Sequence, residues 1–302
     1  PFYVGDPATA MTALAYHVAS LLDQQRPDGS WRFDADLPLE VLPGETAGFL
    51  GPDDAAELGI CASKALTVLR FARLTGDQFS SEKGMRALEF MKRFEVPRAA
   101  QVWEVPVHTP DVLAAALGSR AFLEGYLLTG RTDLRDDAVK WARDGLPFIY
   151  SWREPSFPFM LYGSIPVFGA SLYTNPWFGR IVQWNGLEHA YCCLRLAPYD
   201  SSYDWNKIGA GILVSALYQQ RTDVAYRGTY PDSISALDGS EGAPYLSPTL
   251  ILKSLLTTMG HDPTPQTVIV EKDDARIHVT SGAHIAEEAV SDPNAIGFSL
   301  SY

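Results

Sequence analysis

Three carboxylates and a histidine in this chain are of types and spacings suited to proton transfer: Asp111, Asp232, Glu188 and His108. Asp111 follows Thr109-Pro110, a pattern that starts a capped helix. The helix dipole and the free backbone N–H groups there favour an ionised carboxylate, which suits a base or nucleophile and equally suits a plain capping acid. Glu188 falls just inside a predicted helix, where it serves as a general acid or as a first-turn acid. Asp232 lies in TYPDS, and Asp238 in ALDGS reads as a turn former before its glycine. Cleaving a glycosidic bond requires two carboxyls, about 5–5.5 Å apart for retention or about 6.5–9.5 Å for inversion. The pair expected here is Asp111 with Asp232 or Glu188, with His108 three residues before Asp111 in support.

Around these residues lies an unusual connection, Tyr162 to His189, rich in glycine and aromatic residues between helical sequences. So long a stretch without periodicity is functional or disordered, and its aromatic content argues for order. Trp103, Tyr162, Trp177, Trp184 and Tyr230 offer faces for a sugar ring. Arg180, Gln183, Asn185 and His189 offer hydrogen bonds to hydroxyls. Taken one at a time, each aromatic residue is as well explained by packing, and each histidine by a structural hydrogen bond. Their concentration in long loops favours ligand contact.

These candidates need a frame. At 302 residues, 46% hydrophobic and 20% charged, the chain has the composition of a globular protein with a large core. A formal net charge of −12 without basic runs argues against a nucleic-acid partner, and seven Trp with fourteen Tyr suit a neutral, hydroxyl-rich ligand. No charged-then-apolar leader opens the chain, and no apolar run suggests membrane insertion. It begins at Pro1 and stops in the strand-like IGFSLSY, so both ends look cut. Cys61, Cys192 and Cys193 make no disulfide framework, and the adjacent pair reads as a buried helix face. No metal-binding Cys or His spacing and no phosphate-binding glycine loop is present, so no metal or cofactor is expected.

Helical periodicity runs from Pro7 to about Gln25 and from Pro52, with acids in its first turn, to Gly76. The stretches from Leu74 and from Leu128 share a plan of helix, Leu-Thr-Gly, short polar link and second amphipathic helix; Met85 and Val139 keep the same separation. Such a period marks stacked helix hairpins, with Gly76 and Gly130 as helix-ending residues. Further helices are predicted from Gly186 to Leu196, Asp204 to Gln220 and Pro248 to Met259. After Pro265 the runs TVIVE, ARIHVT and AIGFSLS alternate as strands. The long loops at 31–51, 96–109, 149–185 and 221–247 all precede helix starts, so up-and-down helices gather them at one end, where the site is expected.

Helix hairpins with Leu-Thr-Gly turns on one face and Trp-rich loops on the other resemble the α/α toroid superfamily. QRPDGSW, Gln25 to Trp31, also resembles the Gln-Trp motif of triterpene cyclases, but FDAD at 33–36 and GPDD at 51–54 do not supply their catalytic Asp-x-Asp-Asp. The closer likeness, over roughly residues 7–260, is to the six-hairpin glycosidases and toroidal polysaccharide lyases. It implies a mainly α fold, an α/α toroid forming a partial or complete barrel over 1–262 with a β segment over 263–302 that starts a β-sandwich. About eight helices are readable where a full barrel has twelve, which implies a truncated or partial toroid.

The activity implied is hydrolysis of an oligo- or polysaccharide. A lyase would instead use Arg180 and Asn185 on a uronate, His108 or His189 as base and Tyr162 or Tyr230 as acid. A non-catalytic toroid binding glycan or protein by the same loops is a third reading. A polysaccharide substrate would favour a secreted or periplasmic location.

Overall fold

The structure is a computed structural model that describes residues 7–39, 42–172, 177–261, 264–272, 275–281, 284–288 and 297–301. Its helices are α1 (Pro7–Asp23), α2 (Leu58–Thr75), α3 (Gln78–Met91), α4 (Val112–Thr129), α5 (Thr132–Asp144), α6 (Gln183–Leu196), α7 (Trp205–Tyr218) and α8 (Pro248–Thr258). Helices α2, α4, α6 and α8 pack side by side in chain order, and α3, α5 and α7 each pack outside their own hairpin partner. The architecture is therefore an inner row of helices backed by an outer one.

The Leu-Thr-Gly repeats mark the tight-turn end. Gly76 and Gly130 adopt left-handed conformations, φ 76° and 72°, and each returns its N–H to the carbonyl four residues earlier. Glycine reaches this region without the Cβ penalty that other residues meet. The opposite end carries the long connections.

Trp31, Trp141, Trp205 and Phe122 are fully buried in the core between the layers. Inside it, Arg73 of α2 grips Glu124 of α4 at 2.6 and 3.4 Å. Cys61, Cys192 and Cys193 are buried and unbridged. By length and composition α4 is apolar enough to cross a membrane, a property the sequence reading did not register. Its position explains the composition, since it packs against α2, α5 and α6 and most of it is buried.

Two segments depart from expectation. Pro52-Asp53-Asp54 does not open a helix: Asp54 turns at φ 60°, and α2 begins at Leu58. Both acids are engaged by the preceding loop, Asp53 accepting from the Ala35 N–H at 3.1 Å and Asp54 pairing with Arg26 at 2.9 Å. Within QRPDGSW, Gln25 bonds the Gly29 and Lys83 carbonyls and the Trp31 indole bonds Leu21 O at 2.8 Å. That motif fastens α1 to α3.

The C-terminal strands form two hairpins after two short strands inside the helical part, β1 (Arg180–Ile181) and β2 (Ile234–Ser235). The strands β3 (Gln266–Lys272) and β4 (Ala275–Ser281) pair antiparallel, as do β5 (His284–Glu288) and β6 (Gly297–Ser301). The β3–β4 hairpin lies on the tight-turn end: His278 Nδ1 meets Arg73 O at 2.8 Å, Thr280 donates to Leu74 O at 3.0 Å, and Arg276 donates to Leu128 O. These contacts satisfy carbonyls that the last turns of α2 and α4 leave open.

Candidate active site

At the long-loop end the α3–α4 connection turns tightly at Gln101, whose carbonyl accepts from the N–H groups of Glu104 at 3.1 Å and Val105 at 3.0 Å. The turn exposes Trp103 (41%) and buries Glu104 (6%). Trp103 lies against Trp184, on the first turn of α6, with ring centroids 6.1 Å apart and planes tilted by 33°. Trp184 also packs against two buried clusters, one that includes Leu187, Tyr230 and Leu246 and one formed by Val105, Val167, Trp177 and Val182. It thereby joins the Trp103–Val105 turn to the α7–α8 connection that carries Asp232.

The strands β1 and β2 pair antiparallel, Arg180 opposite Ser235 and Ile181 opposite Ile234, which brings Arg180 to Ser233. Arg180 donates from Nε (3.0 Å) and Nη2 (2.8 Å) to Ser233 Oγ. Burial pushes the Glu104 carboxyl up to about 7; the negative charge of Asp232 adds to the rise and a Trp103 side-chain hydrogen bond partly offsets it. Burial also raises Asp232, with the Arg180 charge opposing. A carboxyl raised by burial and by a neighbouring negative charge, with that neighbour itself raised by burial, has the character of an acid–base pair.

Glu104 was not singled out in the sequence. An acid next to tryptophan, in a long loop at the expected end, was the available signal; its burial depends on contacts that sequence does not display.

Asp111 belongs beneath this site rather than in it. It is 1% exposed, and its oxygens accept from Ala114 N–H at 2.6 Å and Ala100 N–H at 2.9 Å. Burial raises its pKa to about 7, and those N–H groups and the Gln101 side chain pull the other way. Asn185 Nδ2 donates to Gln101 Oε1 at 3.0 Å. The N-cap of α4, Gln101 and α6 thus support the turn that bears Glu104. The capping role, weighed against a catalytic one in the sequence, is the one the geometry fits.

Other expected residues are occupied elsewhere. Glu188 is clamped by Arg120 at 2.7 Å and Lys253 at 2.8 Å. Burial alone would raise its pKa, but those cations outweigh it and hold it below the usual range, which favours its ionised form. Gln183 is fully buried, accepting from Ser164 N–H at 3.1 Å and donating to Ile212 O at 2.8 Å. A Cβ on Gly186 would come within 2.1 Å of Ser164 Oγ, so glycine permits this close approach of loop and helix. His189 is buried against Gly145 with both ring nitrogens unpartnered, and burial lowers its pKa to about 4, leaving it neutral.

Trp177 is also buried (4%), part of the packing behind Trp184. Tyr230, 7% exposed, belongs to one of the clusters that Trp184 packs against. Tyr162 instead lines an outer groove of about 670 Å³ against α7, with Phe157, Leu161 and Val214. His108 is exposed and its charge acts on Glu57. Of the expected set, then, Trp103, Trp184, Tyr230, Arg180 and Asp232 come together, joined by Glu104. Among the described residues no three His, Cys, Asp or Glu side chains cluster as metal ligands.

Solved structures with this arrangement of helices include the unsaturated glucuronyl hydrolase of Bacillus sp. GL1, with TM-score 0.54 at 12% identity over 84% of this chain and 69% of that one. The cellobiose 2-epimerase of Bacillus thermoamylovorans gives TM-score 0.55 at 10% identity over 84% and 68%. The chain has the α/α toroid fold of the six-hairpin glycosidases. A third structure of this toroid, an inactive variant of an α-1,6-mannanase of Salegentibacter in complex with α-1,6-mannotetrose, gives TM-score 0.53 at 14% identity over 82% and 64%. The mainly α body with a C-terminal β segment accords with the toroid seen in these structures. No family model and no curated protein matches the sequence.

Proposed function

We propose that this chain is a carbohydrate-active enzyme that hydrolyses glycosidic bonds in an oligo- or polysaccharide. The observation that carries the reading is the buried Glu104, raised by burial and by the charge of Asp232, on the turn that sets Trp103 against Trp184. Glu104, protonated near neutrality, donates its proton to the departing glycosidic oxygen. Asp232, whose ionised form the Arg180 charge favours against the effect of burial, activates the water or attacks the anomeric carbon. The exposed face of Trp103 stacks on a sugar ring.

The known toroids similar to it, a glucuronyl hydrolase, a cellobiose epimerase and a mannanase, support a saccharide substrate. Of the groups a lyase would need, Arg180 and Tyr230 stand by the site, but three others do not. Asn185 and His189 are buried, and Tyr162 lies on the outer groove.

Incubation with a glycan panel tests this, reading reducing ends and the ultraviolet absorbance of unsaturated products. New reducing ends without that absorbance are expected. Both signals together would indicate elimination and overturn the hydrolytic reading.

A further inference from the structure

We propose that the outer groove beside Tyr162 binds an amphiphile with an apolar chain and one anionic head, of the long-chain carboxylate class. The groove lies between α7 and the 153–162 segment, and none of Trp103, Glu104, Arg180, Trp184 or Asp232 lines it. Its volume of about 670 Å³ falls within the range of about 300–1,000 Å³ typical of small-molecule sites. From α7 come Lys207, Gly211, Val214 and Tyr218, spaced four, three and four residues apart. They make one stripe along the helix, about 16 Å long at 1.5 Å per residue. Phe157 and Leu161 line the groove from the other segment.

The walls are held in place by the backbone. Tyr162 adopts φ 63°, a left-handed conformation that is costly for a bulky residue. Two bonds fix it there, Tyr162 N–H to Tyr150 O and Tyr150 N–H to Gly163 O, each at 2.9 Å. A Cβ on Gly211 would come within 2.5 Å of the Tyr162 ring, so the ring lies directly against the α7 backbone.

The lining chemistry selects the ligand. Its polar side chains are Arg153, Glu154, Lys207 and two tyrosines, with no Asn, Gln, Asp or His to fork onto sugar hydroxyls. Arg153 and Lys207 are exposed, and among the described residues neither side chain has a hydrogen bond or ion pair. Glu154 is turned to its own loop, Oε1 accepting from the Ser156 N–H at 3.1 Å. Asp204, the acid nearest Lys207 in sequence, caps α7 by accepting the Lys207 N–H at 3.0 Å. The groove thus offers two unengaged cations beside an apolar stripe, in a chain of net charge −12. Burial of an apolar chain along the stripe drives binding, and a carboxylate head pairs with the cations.

Isothermal titration calorimetry below micelle concentrations tests this with dodecanoate, dodecyltrimethylammonium and a cello-oligosaccharide. In about 0.15 M salt the field of the net charge is screened beyond about 8 Å, while contacts at the head remain. Dodecanoate is expected to bind about fivefold or more tightly than the ammonium, a preference lost in Arg153→Gln/Lys207→Gln. Both amphiphiles should bind about tenfold more weakly to Val214→Gln/Tyr218→Gln. Those two side chains are 48% and 59% exposed, so the core is retained, and circular dichroism checks it. No dodecanoate binding, ammonium binding that is equal or tighter, or dodecanoate binding unchanged in Val214→Gln/Tyr218→Gln overturns the inference. So does a groove that this double variant shows to hold the cello-oligosaccharide, or a second copy by sedimentation velocity, in place of dodecanoate.

Discussion

Glu104 retains its proton near neutrality because its carboxyl is buried with a second negative charge nearby. Two consequences belong to this residue. Activity should fall on the alkaline side as pH rises through about 7, since the proposed acid catalyst loses its proton there. Stability carries the same signature. The folded pKa lies above the ordinary value of 4.5, so the native state keeps a proton that the unfolded chain releases, and stability declines as pH rises from that value to about 7. Glu104→Gln should therefore melt higher than wild type at alkaline pH and lose that advantage in acid, as thermal denaturation at both would report. Loop position and residue type sufficed to mark Asp232, Trp103, Trp184, Tyr230 and Arg180 as candidates for the proposed site. They did not sort Glu104, Asp111 and Glu188, because a carboxylate's role depends on its partners. Asp111 is occupied by Ala100 and Ala114, Glu188 by Arg120 and Lys253, and no spacing rule distinguishes such acids from free ones.

The hairpins were readable because their signals are local: Gly76 and Gly130 end helices by backbone conformation, whatever surrounds them. Both should resist substitution, but unequally. Around Gly130 a Cβ would meet nothing within 4 Å, so Gly130→Ala should cost about 1 kcal/mol in chemical denaturation from backbone strain alone. At Gly76 the Cβ would reach the His278 ring at 3.2 Å, so Gly76→Ala should cost more and disturb the β3–β4 contact with α2. The start of α2 was misplaced for the opposite reason: Asp53 and Asp54 have the look of first-turn acids, yet they bond to Ala35 and Arg26 across a loop. At the start of α4 the capping pattern was correctly read. Asp111→Ala should lower stability by about 2 kcal/mol, since it removes the cap and leaves two N–H groups without their acceptor.

For the whole molecule, oppositely shifted carboxyls frame the stability curve. Glu124 and Glu188 are held below the usual range by their cations, so their contribution is present above the unfolded pKa and is lost as pH falls through the folded one. Glu104 and Asp111 act in reverse, each costing stability as pH rises toward about 7. Thermal melts across pH should show a maximum between those limits. Glu124→Gln should remove part of the acid-side loss and, by breaking the inner-row pair with Arg73, cost about 3–5 kcal/mol near neutrality. The two-layered order of helices could be read from the repeat and from loop lengths. The convergence of Trp103–Glu104 with Tyr230–Asp232 could not, because it depends on Trp184 and on two strands of two residues each. The most direct measurement is kcat for Glu104→Gln and Asp232→Asn on whichever glycan the wild type cleaves, with folding checked by circular dichroism and binding by tryptophan fluorescence. A fall of about a hundredfold or more in both, with sugar binding retained, is expected; turnover near wild type in either would contradict the assignment.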